Sequence, residues 1–335
     1  MSNLLLTPTH KSPLVGIARL ASEGESLREG HQVEYFTLPA KSLLNRCTSS
    51  RNMPFTWTIN PYRGCEFGCR YCYARYTHEF MEMRNSLEFE QKIYVKQHAA
   101  ELLRNDLRRV KASESIALGT ATDPYQPAER RYEVTRSILE EFARHRGFEL
   151  GIVTKSNLIV RDIDLLREVA RNNTLSVHVT VTTLHGELAR ILEPRAPRPD
   201  LRMDAVRQLH EAGIAVGISC SPVLPGITDE SADLEAVVRA AAEAGAGHIF
   251  AGPLFLKPCS AAVFLPFVQQ HFPHLVENYR QRYQDRAFLP PAYGKRIAQL
   301  IARFRTKYGI WRNDPRRTPA NKGPAQTFDE QLELF

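Results

Sequence analysis

The chain has 335 residues, 43% of them hydrophobic, and a formal net charge of +7. This composition sets aside a disordered or fibrous chain, and with no long apolar run it sets aside a membrane-spanning helix. The basic surplus points to an anionic partner, with nucleic acid first among them.

Residues 1–52 read as a polar extension packed on a core, with turn residues at Gly16, Gly24, Gly30 and Pro39 and little periodicity. The opening ten residues are soon interrupted by Pro8 and Pro13, so no secretory leader is expected and the compartment is expected to be cytoplasmic. Grouped thiols in that compartment read as metal or redox ligands rather than a disulfide framework. A short strand at 55–59 then delivers a loop that carries Cys65, Cys69 and Cys72. Gly64 and Gly68 let this loop curl its thiolates toward one point. Thiolates favour zinc or the iron of an iron–sulfur cluster, and a closed zinc site needs a fourth ligand. No fourth cysteine lies near; His78, six residues after Cys72, stays open as a candidate. Three thiolates on a four-iron cluster would leave one iron free for a substrate or cofactor.

Further along, helices are expected at 99–110, 128–146, 162–170, 201–212 and 232–244. They alternate with strands at 115–119, 148–154, 174–183 and 214–220, and a last strand starts at 248–250. Six strands alternating with helices predict an α/β chain with a parallel sheet and right-handed crossovers, too few units for a closed eight-fold barrel. Ligands of such folds sit at the C-terminal ends of the strands. Those ends carry Gly119, Thr120, Thr122 and Asp123, then Lys155, then His178, Thr180 and Thr182 on one face of a strand. Asp123 is also placed to cap a turn before Pro124, and Lys155 could be merely solvated.

The cysteine spacing, with Tyr71 just before the last cysteine, resembles the signature of the radical S-adenosylmethionine (SAM) superfamily. The resemblance implies a [4Fe-4S] cluster on Cys65, Cys69 and Cys72 and a partial (β/α)6 barrel. It also implies chelation of SAM by the open iron and reductive cleavage to a 5′-deoxyadenosyl radical, with a low-potential electron donor such as flavodoxin or ferredoxin. Thr122-Asp123-Pro124, Thr154-Lys155, Glu193-Pro194-Arg195 and the block 222–226 extend it to the spore photoproduct lyase-related, "DNA repair photolyase" branch, over residues 55–256. On that resemblance Gly119, Thr120, Thr122, Asp123, Lys155, Thr180, Thr182 and Arg195 are the cofactor-binding candidates. Tyr71 and Tyr73 match the two tyrosines that relay hydrogen in the lyase. The lyase's hydrogen-donating cysteine has no counterpart, since Thr120, Ala121 and Thr122 occupy that stretch; Cys220 and Cys259 are the substitutes considered.

The domain reading is an extension (1–52), a radical SAM barrel (53–258), a C-terminal helical region (259–312) and a flexible tail (313–335). A helix at 293–308 carries Ile297, Leu300, Ile301 and Phe304 on one side and Lys295, Arg296, Arg303, Arg305 and Lys307 on the other. With Trp311, Arg312, Arg316, Arg317 and Lys322 it reads as a phosphate-tracking, base-stacking surface, or as the solvated face of a capping helix. Gln331, Leu332, Leu334 and Phe335 at the end resemble the motif by which bacterial polymerases and repair proteins dock on the sliding clamp. The favoured function is a radical SAM enzyme acting on DNA. The alternatives are a radical SAM enzyme that modifies RNA, protein or a small molecule, and a non-catalytic, metal-stabilised nucleic-acid binding module.

Overall fold

The computed structural model describes residues 14–24, 26–29, 33–47, 54–111 and 114–310. Gln331, Leu332, Leu334 and Phe335, like Trp311, Arg312, Arg316, Arg317 and Lys322, lie outside the described residues. The chain opens with α1 (Gly16–Ser22), β1 (Ser26–Glu29), β2 (Glu34–Leu38), β3 (Leu44–Arg46), β4 (Trp57–Ile59) and β5 (Tyr62–Arg63). A 3-10 segment (Tyr73–Met81), α2 (Glu88–Gln91), β6 (Lys92–Lys96) and α3 (Ala99–Leu107) follow. The repeating part is β7 (Ser115–Leu118), α4 (Glu129–Tyr132), α5 (Val134–Ala143), β8 (Glu149–Thr154), α6 (Ile163–Asn172) and β9 (Thr174–Thr180). It continues through α7 (Gly186–Leu192), α8 (Pro199–Glu211), β10 (Val216–Val223), α9 (Ser231–Glu243) and β11 (His248–Pro253). The described chain ends with α10 (Pro258–His271), α11 (Val276–Tyr283) and α12 (Pro291–Lys307).

The six expected strands are present, as β4 and β7 to β11, all parallel, in the order β11-β10-β9-β8-β7-β4. Strand β3 adds antiparallel to β4, so β11 and β3 are the edges of a seven-stranded partial barrel. Period-two alternation divides its faces. Leu118, Ile152, Val177, Ile218 and Ile249 join the main core with Leu103, Ile138, Leu166, Val206 and Val237 of the helices. The intervening residues turn inward. There, His178 of β9 and His248 of β11 meet across Gly217 of β10, with ring centroids 4.5 Å apart. A Cβ on Gly217 would lie 2.3 Å from the His248 ring.

Two expectations need correction. The 1–52 extension is not devoid of regular structure: it supplies α1 and three strands, and β1 and β2 join β6 and β5 in a second, four-stranded sheet. Its strands are short, and β6, the partner of β2 on the side away from β1, lies far along the chain, so no local pattern announces that pairing. The single helix at 128–146 is two, broken at Glu133, which has φ 48°. The buried Glu129 carboxylate causes the break by accepting the Thr135 and Arg136 N–H groups (2.8 and 3.0 Å) at the start of α5. The aromatic stretch 264–283 forms most of α10 and α11. Among the described residues no helix is long and apolar enough to cross a membrane.

Helices α3 and α5 are clamped by Arg104 and Glu141, whose paired hydrogen bonds measure 2.9 and 2.8 Å, with His145 adding a third at 2.9 Å. The Arg104 hydrogen bonds hold the Glu141 carboxyl down at about 2, against 4.5 ordinarily. A depressed carboxylate stabilises the fold above its unfolded value, and that contribution fades as pH falls through the folded one. Glu141→Gln should therefore lower the denaturation midpoint at neutral pH and flatten its decline between pH 4.5 and about 2. Parallel declines for both proteins would rule the clamp out as an acid-labile element.

Candidate functional site

Strand β4 ends where the cysteine loop begins, and Asn60 ties that junction to the end of β7. Its side-chain oxygen accepts the Ala121 N–H at 2.7 Å, and its amide donates to Thr120 at 3.3 Å. Gly64, at φ +83°, sits so close to α2 and β6 that a Cβ would lie 2.6 Å from the Lys92 carbonyl and 2.8 Å from that of Phe89. A Cβ on Gly68 would collide with Glu90 and Arg195. Thr122 donates to the Gly64 carbonyl (2.6 Å), Gln126 donates to the same oxygen (3.1 Å), and the Gln126 carbonyl accepts the Glu66 N–H (2.9 Å). Arg70 N–H donates to Leu192 (2.9 Å) and Arg195 N–H to Phe67 (3.3 Å), which sews the loop to the chain beyond α7. Buried Arg75 donates to the Cys69 carbonyl (3.0 Å), and Ser260 of α10 donates to that of Cys72 (2.8 Å). With its backbone so engaged, the loop is fixed and its thiols are what it presents.

All three cysteines are free; Cys65 and Cys69 are buried and Cys72 is half-buried. Burial pushes the Cys65 thiol well above its ordinary range, and nearby Asp123, Cys69 and Cys72 add to the effect. Cys69 is pushed up to about 12, again by burial first. Such thiolates need a positively charged partner.

Beside them lies a buried ionic group that sequence reading left out of the site. Arg202 of α8 and Glu193, just after α7, are 2.5 Å apart, both almost fully buried. Glu193 accepts a hydrogen bond from the Tyr71 hydroxyl and another from Thr182 (3.1 Å), and Arg202 also donates to the Thr180 carbonyl (3.1 Å). Burial alone would raise the Glu193 carboxyl, but the charges of Arg202 and Lys155 outweigh it and hold the group low. The Lys155 ammonium stands 5.6 Å from the Tyr71 ring centroid. Asp123 is a turn cap, accepting from Tyr125 N–H (2.9 Å), and it also ties down β8 through Thr154 Oγ1 and Lys155 N–H, both at 2.7 Å.

Cys65, Cys69, Cys72, Tyr71, Tyr73, Asp123, Lys155, Thr180 and Thr182 are thus brought to one end of the sheet. Gly119 and Thr120 join them through structural contacts. A Cβ on Gly119 would lie 2.5 Å from the Val153 carbonyl, and the Thr120 carbonyl accepts from the Tyr73 hydroxyl. Thr122 is turned to the Gly64 carbonyl. Arg195 pairs with Glu90 (3.2 Å), which also meets Arg75 (3.4 Å).

Cys220 is a correction. Strand β10 runs on to Val223, so Cys220 is mid-strand on the parity of Val216 and Ile218, fully buried against the helices and facing away from the barrel interior. Cys259 opens α10, beside the serine that holds the Cys72 carbonyl. His78 is buried with its Nε2 3.2 Å from the Lys92 carbonyl, and it packs edge-on against Phe89. Among the described residues no three His, Cys, Asp or Glu side chains gather where a single metal ion could sit.

The family model of the radical SAM superfamily matches residues 59–239, from the end of β4 into α9. The chain belongs to the radical SAM superfamily. It is 36% identical over 299 residues to an uncharacterized protein of Mycobacterium tuberculosis H37Rv, covering 88% of this chain and 87% of that one. A Pseudomonas phage M6 protein named radical SAM Nalpha-GlyT isomerase is 27% identical over 190 residues, 56% of this chain and 37% of its own. Among solved structures, a double mutant of spore photoproduct lyase with bound AdoMet and dinucleoside spore photoproduct shares the fold. The TM-score is 0.60 at 15% identity, over 82% of this chain and 79% of the lyase. Membership of the superfamily makes this radical SAM protein an enzyme and implies SAM and an iron–sulfur cluster. The three free thiols, held on one rigid loop and short of a counter-charge, fit such a cluster.

Arg202→Ala leaves Glu193 buried without its ion pair and should cost about 3–5 kcal/mol of stability. The double variant Arg202→Met, Glu193→Gln should recover most of it. A single-variant loss below about 1 kcal/mol in urea unfolding would show that the pair does not hold the site.

Proposed function

We propose that this chain is a radical SAM enzyme that carries a [4Fe-4S] cluster on Cys65, Cys69 and Cys72 and acts on DNA. The observation that carries the proposal is the rigid three-cysteine loop at the C-terminal ends of the parallel strands, its third cysteine flanked by two tyrosines whose hydroxyls are each held by a specific acceptor. When bound, the cluster supplies an electron to SAM, whose cleavage gives a 5′-deoxyadenosyl radical.

The chain's own residues do the rest. Asp123 Oδ2 accepts one hydrogen bond and keeps a lone pair for the SAM ammonium. Lys155, beside Tyr71, offers its charge to the SAM carboxylate. Thr180 and Thr182 lie on the barrel's inner parity, within reach of a ribose. Glu193, kept ionised by Arg202, fixes the Tyr71 hydroxyl, and the Thr120 carbonyl fixes that of Tyr73, so both O–H groups stand ready for a hydrogen relay. With Cys220 facing the helices and Thr120 and Thr122 where the lyase family keeps its thiol, these tyrosines and Cys259, beside the serine bound to Cys72, are the candidate hydrogen carriers of the site.

The DNA substrate is supported by the +7 charge and by the shared fold of spore photoproduct lyase, solved with a dinucleoside lesion. The phage relative's name favours a second reading, isomerisation of a substrate, which would give less than one 5′-deoxyadenosine per product.

After anaerobic reconstitution with iron and sulfide, the wild type given SAM and a reductant should form 5′-deoxyadenosine and Cys69→Ala should form none. Ultraviolet-damaged DNA should raise the rate where RNA and peptide do not. A colourless protein that keeps zinc and never cleaves SAM would sink the enzyme reading; cleavage indifferent to DNA would sink the substrate.

A further inference from the structure

From Tyr73, next to Cys72, aromatic rings run outward in two directions. On one side Tyr73 stacks near Tyr76 (centroids 6.4 Å apart), which meets Phe80 edge-on (5.6 Å). On the other, Tyr73 contacts Phe255 (6.2 Å), which stacks on Phe288 (4.4 Å). Phe80 is 59% exposed, the only aromatic among the exposed large hydrophobic side chains described. An aromatic ring left in water at the end of a contiguous arc is a stacking face in want of a partner.

One cation lies on this arc and two more stand behind it. Lys257, half-buried at the start of α10, holds its ammonium 3.7 Å from the Tyr76 centroid and 5.9 Å from that of Phe255. Arg63 on β5 lies near Tyr76, and its charge disfavours that of Lys96 on β6, which is only 5% exposed. Burial, then Arg63, brings the Lys96 ammonium down to about 7, only partly offset by Asp106. Asp106 is committed elsewhere, to the Leu43 and Leu44 N–H groups, Ser42 and Arg109. Among the described residues none of these three cations has a carboxylate within ion-pair distance, and the only carboxylate of the 3-10 segment, Glu79, is turned to Cys259. On the basic helix α12, two of the five cations are already engaged, Arg296 with Asp229 (2.7 Å) and Lys307 with Glu235 (2.5 Å), and its apolar side packs on the main core.

Resting on the DNA reading above, we propose that the arc Phe80–Tyr76–Tyr73–Phe255–Phe288 is the seat of an unstacked DNA strand. Bases lie against its exposed end at Phe80, while Lys257 and Arg63 take the phosphates. Faces that tolerate any base, combined with unpaired cations, are what a single strand requires, and the arc leads that strand to the cysteine loop.

Fluorescence anisotropy with a fluorescein-labelled oligothymidylate tests this on the full-length protein. Phe80→Ala, a change at an exposed site that spares the core, should weaken binding about five- to a hundred-fold. Lys257→Glu should weaken it and make the salt dependence shallower by about one counterion. Arg207→Ala, at an exposed arginine of α8 already paired with Asp204, should bind as the wild type does. If the wild type binds and both arc variants bind equally well, this inference falls and the DNA reading stands. If the wild type fails to bind, or prefers the matching RNA, both fall.

Discussion

One buried carboxylate, Glu90, holds two guanidinium groups, and the site depends on that arrangement. Arg75 reaches from it to the Cys69 carbonyl, and Arg195 reaches to it from the chain beyond α7. Gly68 lies against both Glu90 and Arg195, so no side chain fits between the loop and this knot. A buried charge must be matched by charge and hydrogen bonds, and here the matching groups come from segments that must be correctly placed for the loop to form. The cysteine loop is thus positioned by electrostatics as much as by the strand that delivers it.

A second buried pair, Glu193 and Arg202, does for the tyrosine side what Glu90 does for the cysteine side. It joins α7 to α8 and reaches the ends of β9 through the Thr180 carbonyl and the Thr182 hydroxyl. The two knots share one short stretch of chain, since Glu193 and Arg195 are two residues apart. A displacement of that stretch would be felt by Cys69 and Tyr71 together.

What the sequence revealed and concealed follows from the range of each signal. Cysteine spacing and the alternation of strands with helices are local, and both read correctly. Glu193 and Arg202 were hard to see because an ion pair between distant segments leaves no periodic trace. Arg202 did leave one clue, a charged residue at the position that Val206 and Leu209 extend as a buried stripe on α8. Cys220 misleads because β10 ends three residues later than the pattern indicates, which moves that thiol from a strand end to a helix-facing, mid-strand position. The basic side of α12 was visible, but its partners Asp229 and Glu235 come from elsewhere in the chain. β2 and β6 stayed hidden for the same reason, each being too short to declare itself without the other.

The two edge strands, β3 and β11, stand at opposite ends of the strand order. A barrel sealed all round admits only what can travel down its axis, a small molecule or the loose end of a polymer. One with an unsealed flank can be approached from the side, so a long polymer can be gripped at an interior position with both of its ends far away. For such an enzyme the length of the substrate imposes no threading step, and any point along a chain is as reachable as its terminus.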